Sequence, residues 1–161
     1  GAEGMPGGCV QDVNEAFLIS GTKPENLLAI LDQGLDAKLS KQGMLGVGIY
    51  FAETVMKTDQ YATADSSKDQ EGLEELHARL FRARCVQHPG EDLFYCLVAR
   101  VALGWSVATG DAETRITSGE SVFHNAQKLK LAVVPGSRPA VPYQSLVLET
   151  GGAVRRNQSA G

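Results

Sequence analysis

In the first third of the chain, apolar residues occur either in short continuous runs, which are typical of buried strands, or at helical spacing. Residues 15–19 hold the apolar run Ala-Phe-Leu-Ile, closed by Ser20-Gly21-Thr22, which predicts a buried strand that runs into a turn. Residues 36–48 carry three glycines and no sustained periodicity, so we expect a loop that approaches another group closely. Residues 49–52 then predict a second short strand, and residues 53–61 a short helix.

An amphipathic helix is predicted between the first strand and the Gly-rich loop. Leucines and isoleucines recur at helical spacing from Leu27 to Leu35, and Gly34 is placed to end the helix. Thr22 and Glu25 stand three positions apart, which is the spacing of a capping box. Pro24 lies between them in the first helical turn. Proline is tolerated there because the backbone N–H that it lacks would have no partner within the helix.

The second half of the chain predicts a further helix and several strands. Residues 63–70 are polar and are expected on the surface, whereas residues 71–86 repeat leucines at helical spacing after an acidic start. A turn is predicted at residues 88–92. Residues 93–103 give the strongest strand pattern, apolar on both faces as in a central strand. Two later strands are predicted at residues 129–134 and 145–149.

Length and composition favour a single domain. A chain of 161 residues can bury one core of ordinary size, and its 43% hydrophobic and 21% charged residues are typical of globular proteins. We expect residues 1–13 to be a flexible Gly-rich terminus and residues 14–158 to form the domain. The mixture of helices and strands predicts an α+β fold: a split, mostly antiparallel β core flanked by short helices.

Net charge and cysteine content indicate which ligands and which cellular compartment to expect. The 15 basic and 19 acidic residues give a formal charge of −4, which disfavours direct nucleic-acid binding. The three cysteines form no C-x-x-C pair, so we expect a reducing intracellular compartment, nuclear or cytoplasmic. The first residues do not resemble a signal peptide, and no apolar run has the length of a membrane span.

The histidines do not suggest a metal site. His77, His88 and His124 are scattered and lack metal-ligand spacing, so they are expected on the surface or in turns, and no metal is predicted. Cys85 and Cys96 lie in apolar stretches and are expected to be packing residues.

Several segments together resemble a known family. The chain is similar to the catalytic domain of the poly(ADP-ribose) polymerase family, the diphtheria-toxin-like branch of the ADP-ribosyltransferases. The similarity extends over residues 14–158, and its middle block is specific in order and spacing. The matching segments are FLISGTKPENLLAILDQGL at residues 17–35, GMLGVGIYFAETVMKTDQY at 43–61, LVARVALG at 97–104 and, more weakly, VPYQSLVLE at 141–149.

The resemblance implies NAD as a substrate, bound through its nicotinamide end. Backbone groups of the Gly21-Thr22 pair would hold the carboxamide, Tyr50 and Tyr61 would sandwich the ring, and Thr58 would hydrogen-bond the amide. Aromatic stacking of this kind contributes about 0.5–1.5 kcal/mol beyond the burial of area. A side chain at Gly21 would crowd the ring. On residue type alone, the tyrosines would be interpreted as core aromatics, and the threonine could equally be an ordinary helix-surface residue.

Two positions depart from the family pattern. The family places a histidine immediately before Gly-Thr to hold the adenine-side ribose, and this chain has Ser20 there. The family also carries a catalytic glutamate on a late strand. Gln158 lies about where that carboxylate is expected, and Glu149 belongs to the preceding segment of the pattern and is not a substitute. No catalytic residue is therefore assigned, and the chain is expected to be either a C-terminally truncated fragment or a decayed domain.

The resemblance leaves two functions open. The first is transfer of ADP-ribose from NAD to a protein acceptor with release of nicotinamide, as single units because the glutamate associated with chain elongation is not matched. The second is a catalytically inactive module that binds NAD, ADP-ribose or a protein partner. The chain has no feature that identifies the acceptor.

Overall fold

A computed structural model describes residues 8–58, 61–67, 69–84, 86–110, 115–116 and 119–149. The described part is mixed α and β, which agrees with the predicted α+β class. Its α-helices and strands, in chain order, are β1 (Glu15–Thr22), α1 (Pro24–Gln33), β2 (Gln42–Gly43), β3 (Gly46–Val47), α2 (Glu74–Leu80), β4 (Tyr95–Ala102), β5 (Ser106–Thr109) and β6 (Ser145–Leu148). Neither α-helix has the length and apolar character that a membrane span requires.

The chain folds into two compact units. The first unit holds the described residues of Gly1–Ala16, Ser40–Gly48 and Arg100–Gly161, and the second holds those of Phe17–Leu39 and Ile49–Ala99. β1 and β4 are hydrogen-bonded neighbours in a two-stranded sheet. The residues predicted to bind nicotinamide all fall in the second unit, so that unit carries the candidate site.

The predicted strand and helix at the start of the chain are confirmed, except for the helix cap and for the turn predicted at Ser20-Gly21-Thr22, which is part of the strand. β1 extends through Thr22, whose hydroxyl lies 3.4 Å from the Lys23 carbonyl instead of capping the helix. Lys23 is the N-cap of α1 and offers no side-chain cap, so the predicted capping box is wrong because Thr22 stays in the strand. Pro24 occupies the first helical turn, and Gly34, at φ 82°, ends the helix.

A leucine core joins the two helices of the second unit. Leu27 of α1 packs with Leu73 and Leu76, and the partly buried Leu80, Tyr95 and Leu97 pack against them. Full burial of one leucine side chain contributes about 1.5–3 kcal/mol, so this cluster is the main apolar support of the unit. The predicted helix over residues 71–86 is shorter than expected, with α2 followed by a 3-10 turn at Arg82–Arg84.

β4 differs from the central strand that the sequence predicts. Its burial alternates residue by residue, with Tyr95 and Leu97 turned toward the core and Cys96 and Val98 exposed. A strand covered on one face alternates in this way, whereas a central strand is buried on both faces. The prediction that Cys96 is a packing residue is wrong for the same reason. Cys85 lies outside the described residues.

The first unit is built around a parallel strand pair. β5 pairs with β6 in parallel, with Ser106 opposite Ser145 and Thr109 opposite Leu148. Val107, Val122 and Phe123 form the buried core of the unit. β6 confirms the strand predicted at residues 145–149, but β5 has no counterpart in the sequence predictions.

Three other predicted segments form less regular structure. Residues 129–134 make isolated bridges at Leu131 and Val133, and residues 49–52 make one at Ala52. The loop at residues 36–48 contains a 3-10 turn at Ala37–Leu39 and the small antiparallel hairpin of β2 and β3. The described part of residues 53–61 contains a 3-10 turn at Val55–Lys57 in place of an α-helix.

Candidate functional site

A single backbone bridge brings the predicted binding segments together. The N–H of Ile19 donates to the carbonyl of Ala52 at 2.8 Å, and the N–H of Ala52 donates back at 2.7 Å. Ile19 lies in β1, two residues before Gly21, and Ala52 lies two residues after Tyr50. The bridge therefore fixes the Gly21 end of β1 beside the tyrosine segment, as the sequence pattern predicts.

Gly21 is in close contact with Thr58. A β-carbon built at Gly21 would collide with the Thr58 carbonyl oxygen and would lie 3.2 Å from the Thr58 β-carbon. The backbone oxygen cannot swing aside as a flexible side chain would, so this position requires glycine. Thr58 is only 4% exposed, which contradicts the alternative that it is an ordinary surface threonine.

The hydroxyl of Thr58 already has a partner. It donates to the carbonyl of Val55 at 2.7 Å, and the N–H of Thr58 donates to the same carbonyl at 2.8 Å. A hydroxyl has one proton and two acceptor lone pairs. Thr58 is therefore suited to accept a hydrogen bond from an amide NH₂ group rather than to donate one to an amide oxygen.

Tyr50 and Tyr61 form an aromatic pair. Their ring centroids lie 5.9 Å apart, with 36° between the ring planes. Tyr61 is 46% exposed, so it is not a core aromatic. Stacked rings are separated by about 3.5 Å, so a third ring held between two others needs about 7 Å. An outward movement of about 1 Å by the exposed Tyr61 ring would give that spacing.

Ser20 and Thr22 lie on the other side of β1 from the Gly21 contact. Successive residues of a strand point to opposite faces, and Gly21 faces Thr58. Ser20 and Thr22 are both buried. Of the six residues predicted to bind the cofactor, the structure thus brings Gly21 and Thr58 into contact and pairs the two tyrosines, while Ser20 and Thr22 face away from Thr58.

Thr58 also lines an apolar depression. It has a volume of about 230 Å³ and is lined by Val55, Met56, Thr58, Ala62, Phe94, Tyr95 and Cys96. Neither ring of the tyrosine pair lines it, so it is separate from the slot predicted for nicotinamide.

Two residues were considered for the position of the catalytic glutamate, Gln158 and Glu149. Gln158 lies outside the described residues. Glu149 follows β6 directly, and its N–H donates to the Thr109 carbonyl at 2.8 Å, which continues the pairing of β5 with β6. Within the part of the chain that the structure describes, no catalytic carboxylate is added to the sequence prediction.

The second unit contains a buried polar cluster that the sequence did not predict. Asp65 is fully buried, and its Oδ2 accepts a hydrogen bond from the Tyr95 hydroxyl at 2.6 Å and lies 2.8 Å from Nε2 of His77. Oδ1 of Asp65 lies 3.2 Å from Nε2 of His88. The backbone also fixes Asp65, which exchanges two hydrogen bonds with Leu93 at 2.8 and 2.9 Å. The cluster thus joins a loop, a helix, a turn and the start of β4.

The electrostatics of the cluster favour an ionised Asp65. Burial is the largest single influence and would raise the pKa of this carboxyl, but the hydrogen bonds from Tyr95 and His77 and the charges of His77 and His88 together lower its pKa below the ordinary value. Burial and the neighbouring carboxylate raise the pKa of Tyr95, so its hydroxyl keeps the proton that it donates.

Two sequence predictions fail at this cluster. His77 is buried in α2, whereas it was expected on the surface or in a turn, and Asp65 is buried in a segment predicted as a surface excursion. The side chain of His88 is also buried. The turn predicted around His88 is present, because the Gly90 N–H donates to Nδ1 of His88 at 3.0 Å. One signal was available for His77: it follows Leu73 by four positions and therefore lies on the apolar face of α2.

Comparison with known proteins supports the family. A family model described as the poly(ADP-ribose) polymerase catalytic domain matches residues 9–146. The chain belongs to this family of NAD-dependent ADP-ribosyltransferases. No curated protein matches the chain.

Proposed function

We propose that this chain transfers ADP-ribose from NAD to a protein acceptor and releases nicotinamide. The proposal rests on one observation beyond family membership: the Tyr50 and Tyr61 rings lie 5.9 Å apart, and Gly21 packs on Thr58, three residues before Tyr61. An electron-poor pyridinium ring is well suited to lie between two aromatic faces. We take residues 14–158 as the transferase domain.

Five of the six predicted residues have a defined task in this proposal. The tyrosine pair holds the nicotinamide ring, and backbone groups at the Gly21-Thr22 pair bind its carboxamide. Thr58 accepts a hydrogen bond from the carboxamide NH₂ group, since its own proton is donated to Val55. Held in this way, the ring cannot rotate about the glycosidic bond, which orients the bond that breaks.

The reaction breaks the bond between the ribose C1′ and the nicotinamide nitrogen. The bonding electrons leave with nicotinamide, which becomes neutral, and a nucleophilic atom of the acceptor forms the new bond to C1′ and loses its proton. An oxocarbenium-like transition state of this kind is stabilised by a carboxylate in glycoside hydrolysis. We assign no such group here. We propose transfer of single units, since the glutamate associated with elongation is not matched.

The competing proposal is a binding module without transferase activity. Ser20 supports it, since serine is too short to replace a histidine at the adenine-side ribose except through water. Such a module would bind NAD through the tyrosine slot, ADP-ribose through the rest of the NAD site, or a protein partner.

One experiment separates the two proposals. Calorimetric titration with NAD, a nicotinamide-release assay and an assay of NAD-dependent labelling are run on the full chain and on Tyr61→Ala and Tyr61→Phe. We expect Tyr61→Ala to abolish NAD binding and labelling, whereas Tyr61→Phe keeps the ring and most of the affinity. Trp105→Ala removes an exposed aromatic outside the tyrosine pair and serves as the matched control.

The outcomes are distinct. Binding with nicotinamide release supports the transferase, and binding without release supports the inactive module. Unchanged labelling in Tyr61→Ala would exclude this pocket as the active site. The absence of NAD binding by the unmodified chain would contradict the transferase and leave only an inactive module that does not use NAD.

We also propose an intracellular location, nuclear or cytoplasmic. Cys9 and Cys96 are free thiols, which is typical of a reducing compartment.

A further inference from the structure

We propose that Asp65, His77 and His88 form a binding site for a divalent transition-metal ion, with Zn²⁺ as the ion that the ligands fit best. The site is independent of the tyrosine slot and of the reaction proposed above. It would cross-link the loop, helix and turn that lie between Tyr61 and β4 in the sequence.

The ligand atoms already lie near coordination distances. One atom from each of the three residues falls within 4.8 Å of the others. Two ligands at about 2.1 Å from a tetrahedral Zn²⁺ are about 3.4 Å apart. The observed separations from Asp65 oxygens to the two imidazole nitrogens are 2.8 and 3.2 Å, so only small side-chain movements are needed to admit the ion.

Burial and missing hydrogen bonds point to a ligand at the same place. Asp65 is fully buried and the His88 side chain is 2% exposed. Oδ1 of Asp65 and Nε2 of His88 face each other without the alignment of a hydrogen bond, and within the described residues neither atom has a hydrogen-bond partner. Buried polar atoms of this kind are rare in proteins and cost free energy, and an ion between them would supply the missing partner.

The donor set selects the type of ion. Two imidazole nitrogens and one carboxylate oxygen suit Zn²⁺ and related transition metals, whereas Mg²⁺ and Ca²⁺ prefer sites made of oxygen ligands. Tyr95 provides an outer hydrogen bond, since its hydroxyl donates to Oδ2 of Asp65 at 2.6 Å. Outer contacts of this kind orient a ligating carboxylate.

Coordination changes the hydrogen bonding of His88. Because its Nδ1 accepts a hydrogen bond from Gly90, the proton of the neutral ring lies on Nε2, which faces Asp65. An ion bound to Nε2 moves that proton to Nδ1, so the hydrogen bond from Gly90 is lost. The coordinate bond to His88 must offset that loss, and we therefore expect the turn at residues 88–90 to shift when metal binds.

The test uses the full chain, purified without a polyhistidine tag and dialysed against a chelator. After incubation with Zn²⁺ and removal of excess ion, elemental analysis should give about one zinc per chain, and Zn²⁺ should raise the melting temperature. Co²⁺ in place of Zn²⁺ should give the visible absorption of a tetrahedral site.

Matched variants locate the ion. Asp65→Asn and His88→Gln remove ligands with little change in size and should abolish stoichiometric zinc. Tyr95→Phe removes only the outer hydrogen bond and should weaken Zn²⁺ binding by about 10- to 100-fold. His124→Gln changes an exposed histidine outside the cluster and should leave zinc content unchanged.

If a ligand variant does not fold, measurements on the unmodified chain still test the proposal. The proposal is wrong if the chelator-treated chain takes up no zinc and its melting temperature does not respond to Zn²⁺. It is also wrong if folded Asp65→Asn or His88→Gln binds zinc as well as His124→Gln does.

Discussion

Gly21 lies directly against the backbone carbonyl of Thr58. The two residues belong to segments that meet through the backbone bridge between Ile19 and Ala52. Any side chain at position 21 would displace the turn that carries Thr58 and leads to Tyr61. The shape of the candidate site therefore depends on a glycine, and the family resemblance also gives this glycine a binding role.

The first prediction concerns Gly21→Ala. The added methyl group meets a carbonyl oxygen that cannot rotate away, so the substitution should reduce the free energy of unfolding by about 1–3 kcal/mol. It should also weaken NAD binding, because the turn that carries Thr58 must move. Denaturant unfolding and calorimetric titration with NAD measure the two effects.

Gly110→Ala is the control for this prediction. A β-carbon at Gly110 meets nothing within 4 Å, and the backbone there does not require glycine. We expect a change in stability within about 0.5 kcal/mol. Equal stability and equal NAD affinity in the two variants would show that the contact with Thr58 does not constrain the site.

The second prediction separates the shape of Thr58 from its hydroxyl group. Thr58→Val keeps the shape but removes the hydrogen bond to Val55, which should cost about 1 kcal/mol of stability. NAD affinity should also fall, since valine cannot accept a hydrogen bond from the carboxamide. Thr58→Ser keeps the hydroxyl and should bind NAD nearly as the unmodified chain does.

Calorimetric titration of both Thr58 variants with NAD is the measurement. Valine and serine variants with the same NAD affinity would mean that the hydroxyl does not contact the carboxamide. A normal affinity together with lower stability in Thr58→Val would assign the residue a purely structural role.

The sequence correctly predicts which segments form the candidate site, but it predicts less well which of them are regular strands or helices. The strand ending at Gly21 and the helix after it follow from local spacing, and both are confirmed. Residues 49–52 form only one bridge, because a short apolar run does not specify how many partners a strand has. The exposed face of β4 is missed for the same reason, since its outward Cys96 and Val98 are apolar.

The buried cluster could not be predicted from spacing. Asp65, His77 and His88 are separated by irregular intervals, and they meet only because Leu93 bridges Asp65 while α2 packs its apolar face inward. Local sequence rules treat a polar residue as exposed unless a motif indicates otherwise. Only His77, on the apolar face of α2, carries a local sign of burial.

The third prediction tests the leucine core of the second unit. Leu76 is 2% exposed, and Leu76→Ala removes apolar burial and leaves a cavity, so it should cost about 2–5 kcal/mol of stability. Leu39 is 81% exposed, and Leu39→Ala should change stability by less than about 0.5 kcal/mol. Thermal and denaturant unfolding of both variants measure the difference. Similar losses in the two would show that Leu76 is not in the core.

The last prediction uses a glycine of the first unit. Gly46 has φ 93°, and a β-carbon there would lie 2.6 Å from the Lys128 carbonyl oxygen and 3.0 Å from the Phe123 ring. Gly46→Ala should therefore combine backbone strain with crowding of a buried aromatic. Gly136 is the matched control, since it has φ 76° and no atom near its β-position.

The two glycine variants separate strain from crowding. Gly136→Ala carries only the left-handed backbone and should cost about 1–2 kcal/mol. Gly46→Ala carries the same strain and also pushes Phe123 out of its packing with Val122, which should add about 1–3 kcal/mol. Denaturant unfolding gives both values. Equal losses would mean that the Phe123 ring and the Lys128 carbonyl yield without cost, and the close contact at Gly46 would then contribute nothing to the core of the first unit.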